Sequence, residues 1–208
     1  MITQIDEALR ALVREAVGTS DVEVVLDAPT KDWAARRNAP TVDVYLYDLR
    51  EDMRRRAHGV VEPRDANGKV SARYRPPRHF RLSYLVTAWT QRPEDEHRLL
   101  DSVLDHLVDF DTLPSHVLDP TLAAAGARVP LMVGLPPPED RGFADVWTAL
   151  GGELKPSIDV VIDAPLLAGP ATPFGPPVEE GLLVDLADTR GSATDSGRQQ
   201  HRAPEVRA

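Results

Sequence analysis

From Val42 to Tyr47 the chain alternates, with Val42, Val44 and Leu46 on one side and Asp43, Tyr45 and Tyr47 on the other. A two-residue period of this kind belongs to a β-strand with one face in a core. Pro40 stands just ahead of it, where no ladder N–H is needed. At Arg50, Glu51 and Asp52 the apolar pattern gives way to charge, and Arg54, Arg55 and Arg56 follow. A rigid strand that delivers a charged loop suggests a docking device, whose partner is a protein, a nucleic acid or a substrate.

A second strand runs from Phe80 to Thr90. Phe80, Leu82, Tyr84, Val86 and Ala88 share one face, and Arg81, Ser83, Leu85, Thr87 and Trp89 share the other. Both faces become apolar toward its end, as expected of a central strand covered on both sides. Shorter strands are expected at Val22–Leu26, at Val129–Val133 on an edge, and at Ser157–Ala164.

Helices are expected between them. Ile5, Leu9, Leu12, Val13 and Ala16 recur at helical spacing from Ile2 to Val17, with Thr3 as N-cap and Gly18 as C-cap. Thr30 caps one helical turn, in which Trp33 anchors to the core. Pro93 opens the main helix, which reaches Phe110 and measures ~27 Å. Leu99, Leu100, Val103, Leu104, Leu107 and Val108 form its apolar stripe, and Asp101, Asp105 and Asp109 an acidic, solvated ridge. Residues 144–150 form a short helix stopped by Gly151 and Gly152. The segment 54–77 is a loop or long hairpin with an Asn67-Gly68 turn and a returning strand arm from Val70 to Tyr74.

The 208 residues suit one sizeable domain with a tail. Residues 1–168 read as that domain; 169–208, rich in Pro and Gly with Leu182-Leu183-Val184 as their one apolar cluster, read as a disordered tail or one ordered only in assembly. The absence of cysteine removes disulfides, thiolate zinc sites and cysteine nucleophiles, and fits a reducing compartment. The N-terminus is acidic and lacks the apolar run of a signal peptide, and no stretch reaches the ~20 apolar residues of a membrane span. The expected location is therefore cytoplasmic.

Net charge is −9, unevenly spread. Residues 31–81 carry 13 Lys/Arg against 7 Asp/Glu, and the remainder 11 against 26. The split fits either an oriented surface that meets a charged partner or a basic loop solvated on its own.

The chemistry-bearing motifs are weak. His97 and Asp101 are four apart on the main helix, a spacing that can share a metal, but no second histidine lies four away. Asp145 (or Asp140), Glu153 and Lys155 follow the order of the Asp…Glu-x-Lys arrangement of metal-dependent nucleases, in which carboxylates hold a divalent ion and lysine positions water. Here the triplet lies between a Gly-Gly stop and Pro156 instead of within a strand. Asp159 and Asp163 share a strand face, with Asp43 able to lie near them, and read most simply as a polar outer or interface face. There is no phosphate loop, dinucleotide fingerprint or nucleophile elbow. Arg54–Arg56 is the one candidate for nucleic acid, but it lacks interleaved aromatics and the whole chain is acidic. No catalytic residue, metal site or cofactor is expected. A nuclease using Asp145, Glu153 and Lys155, or a nucleic-acid module using Arg54–Arg56, is the alternative to a protein-docking role.

Three segments together resemble one family: Asp27-Ala28-Pro29-Thr30…Trp33 leading to Pro40–Glu51, then Arg78–Thr90 with the acidic helix start, then Val146-Trp147-Thr148-Ala149-Leu150-Gly151-Gly152…Lys155-Pro156-Ser157. They are similar to the tail-cap, or tail-terminator, proteins of extracellular contractile injection systems, over roughly residues 2–166. The resemblance implies an α/β (α+β) domain like phage tail terminators, with a mixed, mostly antiparallel sheet flanked by helices. It implies a non-enzymatic protein that assembles as a homo-oligomeric ring, a hexamer, on the distal end of the inner tube and contractile sheath. There it stops polymerisation and anchors the last sheath layer. The partners implied are other copies of the chain, inner tube protein and sheath protein. A closed ring needs two unlike patches on each subunit; the basic segment and the acidic helix ridge are either those patches or the faces that meet tube and sheath. Tyr45, Tyr47, Arg50, Arg54, Arg55, Arg56, Asp101 and Asp105 are the expected assembly residues. For Tyr45 and Tyr47 the alternative is packing beneath a second helix.

Overall fold

In the computed structural model, residues 1–18, 21–64, 66, 68, 70–135, 143–167 and 169 are described. Among these residues five strands form one open sheet in the order β1–β2–β3–β5–β4: β1 Glu23–Val25, β2 Thr41–Glu51, β3 Arg78–Trp89, β4 Leu131–Val133 and β5 Ser157–Leu166. β1 runs parallel to β2, and every other pairing is antiparallel. The helices are α1 Ile2–Val17, α2 Lys31–Ala34, α3 Pro93–Leu107, α4 Pro120–Ala124 and α5 Phe143–Ala149. The fold is the expected mixed α/β arrangement, with a mostly antiparallel sheet and β4 on its edge.

One face of the sheet holds the main core. Ile5, Leu9, Leu12 and Val13 of α1 and Val103 and Leu107 of α3 are buried in one cluster with Val42, Val44, Leu82, Tyr84, Val86, Val160 and Ile162. Helix α1 needs no side-chain cap to stand. Met1 occupies the cap position and makes no capping bond, so the expected cap, Thr3, lies inside the first turn. Burial of Ile5, Ala8, Leu9, Leu12 and Val13 supplies the stability that a cap contributes to a marginal helix. Gly18 does close it, left-handed at φ 60°, with its N–H donating to Arg14 O. Tyr84 fastens the helix to the central strand, its hydroxyl donating to Asp6 Oδ1 at 2.8 Å. Burial of both groups raises the phenol and the Asp6 carboxyl above their ordinary values.

Helix α3 differs from expectation in two ways. It ends at Leu107, not Phe110, and its apolar stripe is narrower. At 100° per residue, Leu104 and Val108 lie about 100° and 140° around the axis from Val103, too far to reach the sheet. They are 38% and 58% exposed.

The opposite face is covered at one end by tryptophans. Trp33 of α2 meets Trp89 of β3 edge-on, with centroids 5.3 Å apart, and Trp147 of α5 lies 6.4 Å from Trp89. Trp33 is anchored as expected, with its cap Thr30 accepting its N–H. The Trp-x-Ala-Leu-Gly-Gly sequence has a physical reason here: Gly151 turns the chain at φ 67°, and a Cβ on Gly152 would lie 3.1 Å from the Trp147 ring.

Asp43, Asp159 and Asp163 do lie on this second face, but the polar outer face expected of them is corrected. All three are buried. The register explains their company: Asp43 opposes Thr87, Asp159 opposes Leu85, and Asp163 opposes Arg81. Among the described residues neither carboxylate oxygen of Asp43 finds a hydrogen-bond partner, and burial, reinforced by nearby Asp27, pushes its acid up to about 8. Asn67, the triplet Pro136–Pro138 and, Gly169 apart, the tail expected at 169–208 lie outside the described residues.

Candidate assembly surfaces

β2 carries a bulge that shapes its exit. Leu46 opposes Tyr84 and Asp48 opposes Ser83, so Tyr47 is the extra residue. Past it the faces exchange parity: Leu49, opposite Leu82, takes the side that Leu46 had, and Arg50, opposite Arg81, takes the side of Tyr45. The bulge sets Tyr47 over the second face, where its hydroxyl donates to Asp159 Oδ1 at 2.8 Å. Burial and this bond raise the Tyr47 phenol, and burial raises Asp159. Tyr45 and Tyr47 are both half-buried, and Arg50 is exposed with its Nε 2.9 Å from Asp48 Oδ2.

At the end of β2, Glu51 clasps Arg78 at the start of β3, with Arg78 Nε donating to Oε1 at 2.7 Å. That bond holds the Glu51 carboxyl below its usual range. Asp52 accepts the Arg54 N–H at 3.0 Å and so caps a single 3₁₀ turn, Met53–Arg55. The turn presents Arg54 and Arg55 to solvent; Arg56, also exposed, lies 3.7 Å from Glu51. The chain then runs out and back, with isolated bridges between Val61 and Tyr74 and between Arg64 and Val70 in place of the strand expected from Val70 to Tyr74. Met53 and Val60, on either side of these arginines in the sequence, are 61% and 58% exposed.

Asp101 and Asp105 on α3, and Asp109 just past its end, are exposed and make no ion pair with a described residue. The base of this helix is fixed instead. Lys155, from the segment ahead of β5, donates to Glu96 Oε1 at 2.7 Å and to Ala88 O at 3.0 Å, and its ammonium sits 3.9 Å from the Trp89 ring centre. This engagement removes the lysine from the role a nuclease would give it. Asp145 and Glu153 are exposed, and among the described residues no group of three or more His, Asp or Glu side chains is placed to hold a metal ion. His97 and Asp101 join no such group.

Sequence reasoning did not identify a cleft of about 560 Å³ between α3 and the segment after α2, lined by Trp89, Leu99, Pro40, Arg37, Arg92 and Arg98. Its residues come from four parts of the chain, so no local spacing marks it. Among the described residues no helix is long and apolar enough to cross a membrane.

The sheet thus carries buried acids on its second face, a basic turn at one end and an exposed acidic row on α3. The chain belongs to the Pvc16 N-terminal domain family, whose model matches residues 4–180. No curated protein matches the sequence. Its fold is similar to the sheath/tube terminator, in the extended state, of the PVC extracellular contractile injection system, with a TM-score of 0.65 and 18% identity. It is also similar to the tube-terminating cap of the anti-feeding prophage, with a TM-score of 0.57 and 19% identity. These matches cover 92% and 86% of this chain but only 65% and 60% of those proteins.

Proposed function

We propose that this chain is a structural cap: it closes the distal end of the inner tube and contractile sheath of a phage-tail-like injection particle. In that role it stops polymerisation, anchors the last sheath layer and performs no chemistry. It acts as a homo-oligomeric ring, a hexamer by analogy with tail terminators, assembled in the cytoplasm where particles are built. The observation that carries this reading is the likeness over nine-tenths of the chain to a sheath/tube terminator, joined to family membership across residues 4–180. The engagement of Lys155 with Glu96 and Trp89 supports it over a nuclease. The test is localisation: gold-labelled chain on purified particles is expected at one end only, opposite the baseplate. Label along the particle wall, or none, contradicts the proposal.

A further inference from the structure

Two exposed charged features of this domain are unlike each other and match in sign and apolar content. Asp101, Leu104 and Asp105 of α3, with Val108 at its C-cap, fall within about 100° of arc at 100° per residue and so form one continuous stripe. The two apolar members are 38% and 58% exposed, and the two acids have no ion-pair partner among the described residues. At the far end of β2, Met53 and Val60, 61% and 58% exposed, flank Arg54, Arg55 and Arg56. Within one chain no ion pair joins the two sets among the described residues. An apolar stripe edged with acid and an apolar turn edged with base have the pattern of a desolvated contact with a charged rim.

From this we infer that the α3 stripe of one copy docks on the Met53–Arg56 turn and Val60 of the next copy. The inference rests on the ring-forming reading and names the contact within it. The occupant is a second copy because both halves of the pair lie on the same chain. Pairing unlike patches head to tail is the arrangement that generates a ring when its rotation closes. A tube or sheath partner would have to supply one complement from its own surface; two copies already supply both.

The test uses full-length chain in three forms: unchanged, with Arg54→Glu, Arg55→Glu and Arg56→Glu, and with Asp101→Lys and Asp105→Lys. Light scattering across a concentration series reads the assembly mass, and circular dichroism confirms folding, which these exposed positions should not disturb. Each variant alone is expected to associate at least tenfold more weakly than the unchanged chain. An equimolar mixture of the two variants is expected to recover assembly, because each then offers the sign the other lacks. Assembly of the unchanged chain should also weaken as salt rises. Variants that assemble normally, a mixture that does not recover, or an unchanged chain that stays monomeric overturns the inference. If such a chain still marks one particle end, the capping reading stands without this contact. Charge-dependent rings that never mark particle ends retain the contact and remove the cap.

Discussion

Lys155 and Glu96 meet at 2.7 Å where the segment before β5 crosses the first turn of α3, and the ammonium also rests 3.9 Å from the centre of the Trp89 ring. Both side chains are largely shielded from water. The pair therefore joins the base of α3, the end of β3 and the approach to β5 at one point. Removing one partner strands the other charge in a poorly solvated site. Lys155→Met is expected to lower stability by on the order of 3 kcal/mol. Adding Glu96→Gln should recover part of that loss. Urea unfolding of the two single variants and the double variant measures the coupling; a loss under about 0.5 kcal/mol, typical of an exposed pair, would contradict it.

Gly151 and Gly152 should fail for different reasons. An alanine at Gly152 places its Cβ 3.1 Å from Trp147, a fully buried ring with no room to retreat, and should cost about 1–3 kcal/mol by overpacking. At Gly151 the space is open but φ is 67°, so alanine there should cost about 1–2 kcal/mol through backbone conformation alone. Adding Trp147→Phe is expected to relieve the Gly152→Ala cost and leave the Gly151→Ala cost unchanged. Thermal unfolding of the three single variants and the two double variants checks this.

Asp43 makes stability depend on pH. Its acid stands at about 8 in the folded chain against an ordinary value near 4, so between those values the folded state holds a proton that the unfolded state has released. Its contribution is complete below about pH 4, declines as pH rises and is gone above about pH 8. Burial raises Asp6 and Asp159 in the same sense. Asp43→Asn keeps the shape and removes the titration. The variant should show a flatter pH profile, with its advantage over the natural chain greatest near pH 8. Parallel profiles from pH 5 to 9 would contradict this account.

Tyr47→Phe tests the bulge. Without the hydroxyl, Asp159 loses its 2.8 Å donor in a buried site, at an expected cost of about 1–3 kcal/mol. Tyr45, whose hydroxyl bonds to none of the described residues, should tolerate phenylalanine at under about 0.5 kcal/mol. Equal effects at both positions would show that the ring, not the bond to Asp159, holds the strand.

Much of the scaffold could be read from the sequence because local periodicity and burial agree there. Val42 and Val44 alternate into the core, Ile5, Leu9 and Leu12 recur on one side of α1, and Gly18 ends it. What could not be read depends on distant partners. Nothing near Tyr47 marks it as the extra residue of a bulge; that follows from how β2 meets β3. Leu104 and Val108 are helical neighbours of buried residues and differ from them only in angle, which matters once the sheet fixes where α3 touches. Asp43 sits in a pattern that gives a solvated face whenever nothing covers it, and here Trp33 and Trp147 close the end of that face. The surfaces were legible in part: the arginine triplet and the acidic ridge are sequence features, but the exposed apolar residues beside them became visible with the fold.

The central claim is that the chain ends tube growth. Inner tube protein polymerised in vitro, with and without added chain, measures it directly through tube lengths in electron micrographs. The account predicts shorter tubes of narrower length distribution as chain is added, each bearing one ring of extra density at a single end. Tubes of unchanged length, with bare ends at saturating chain, would contradict it.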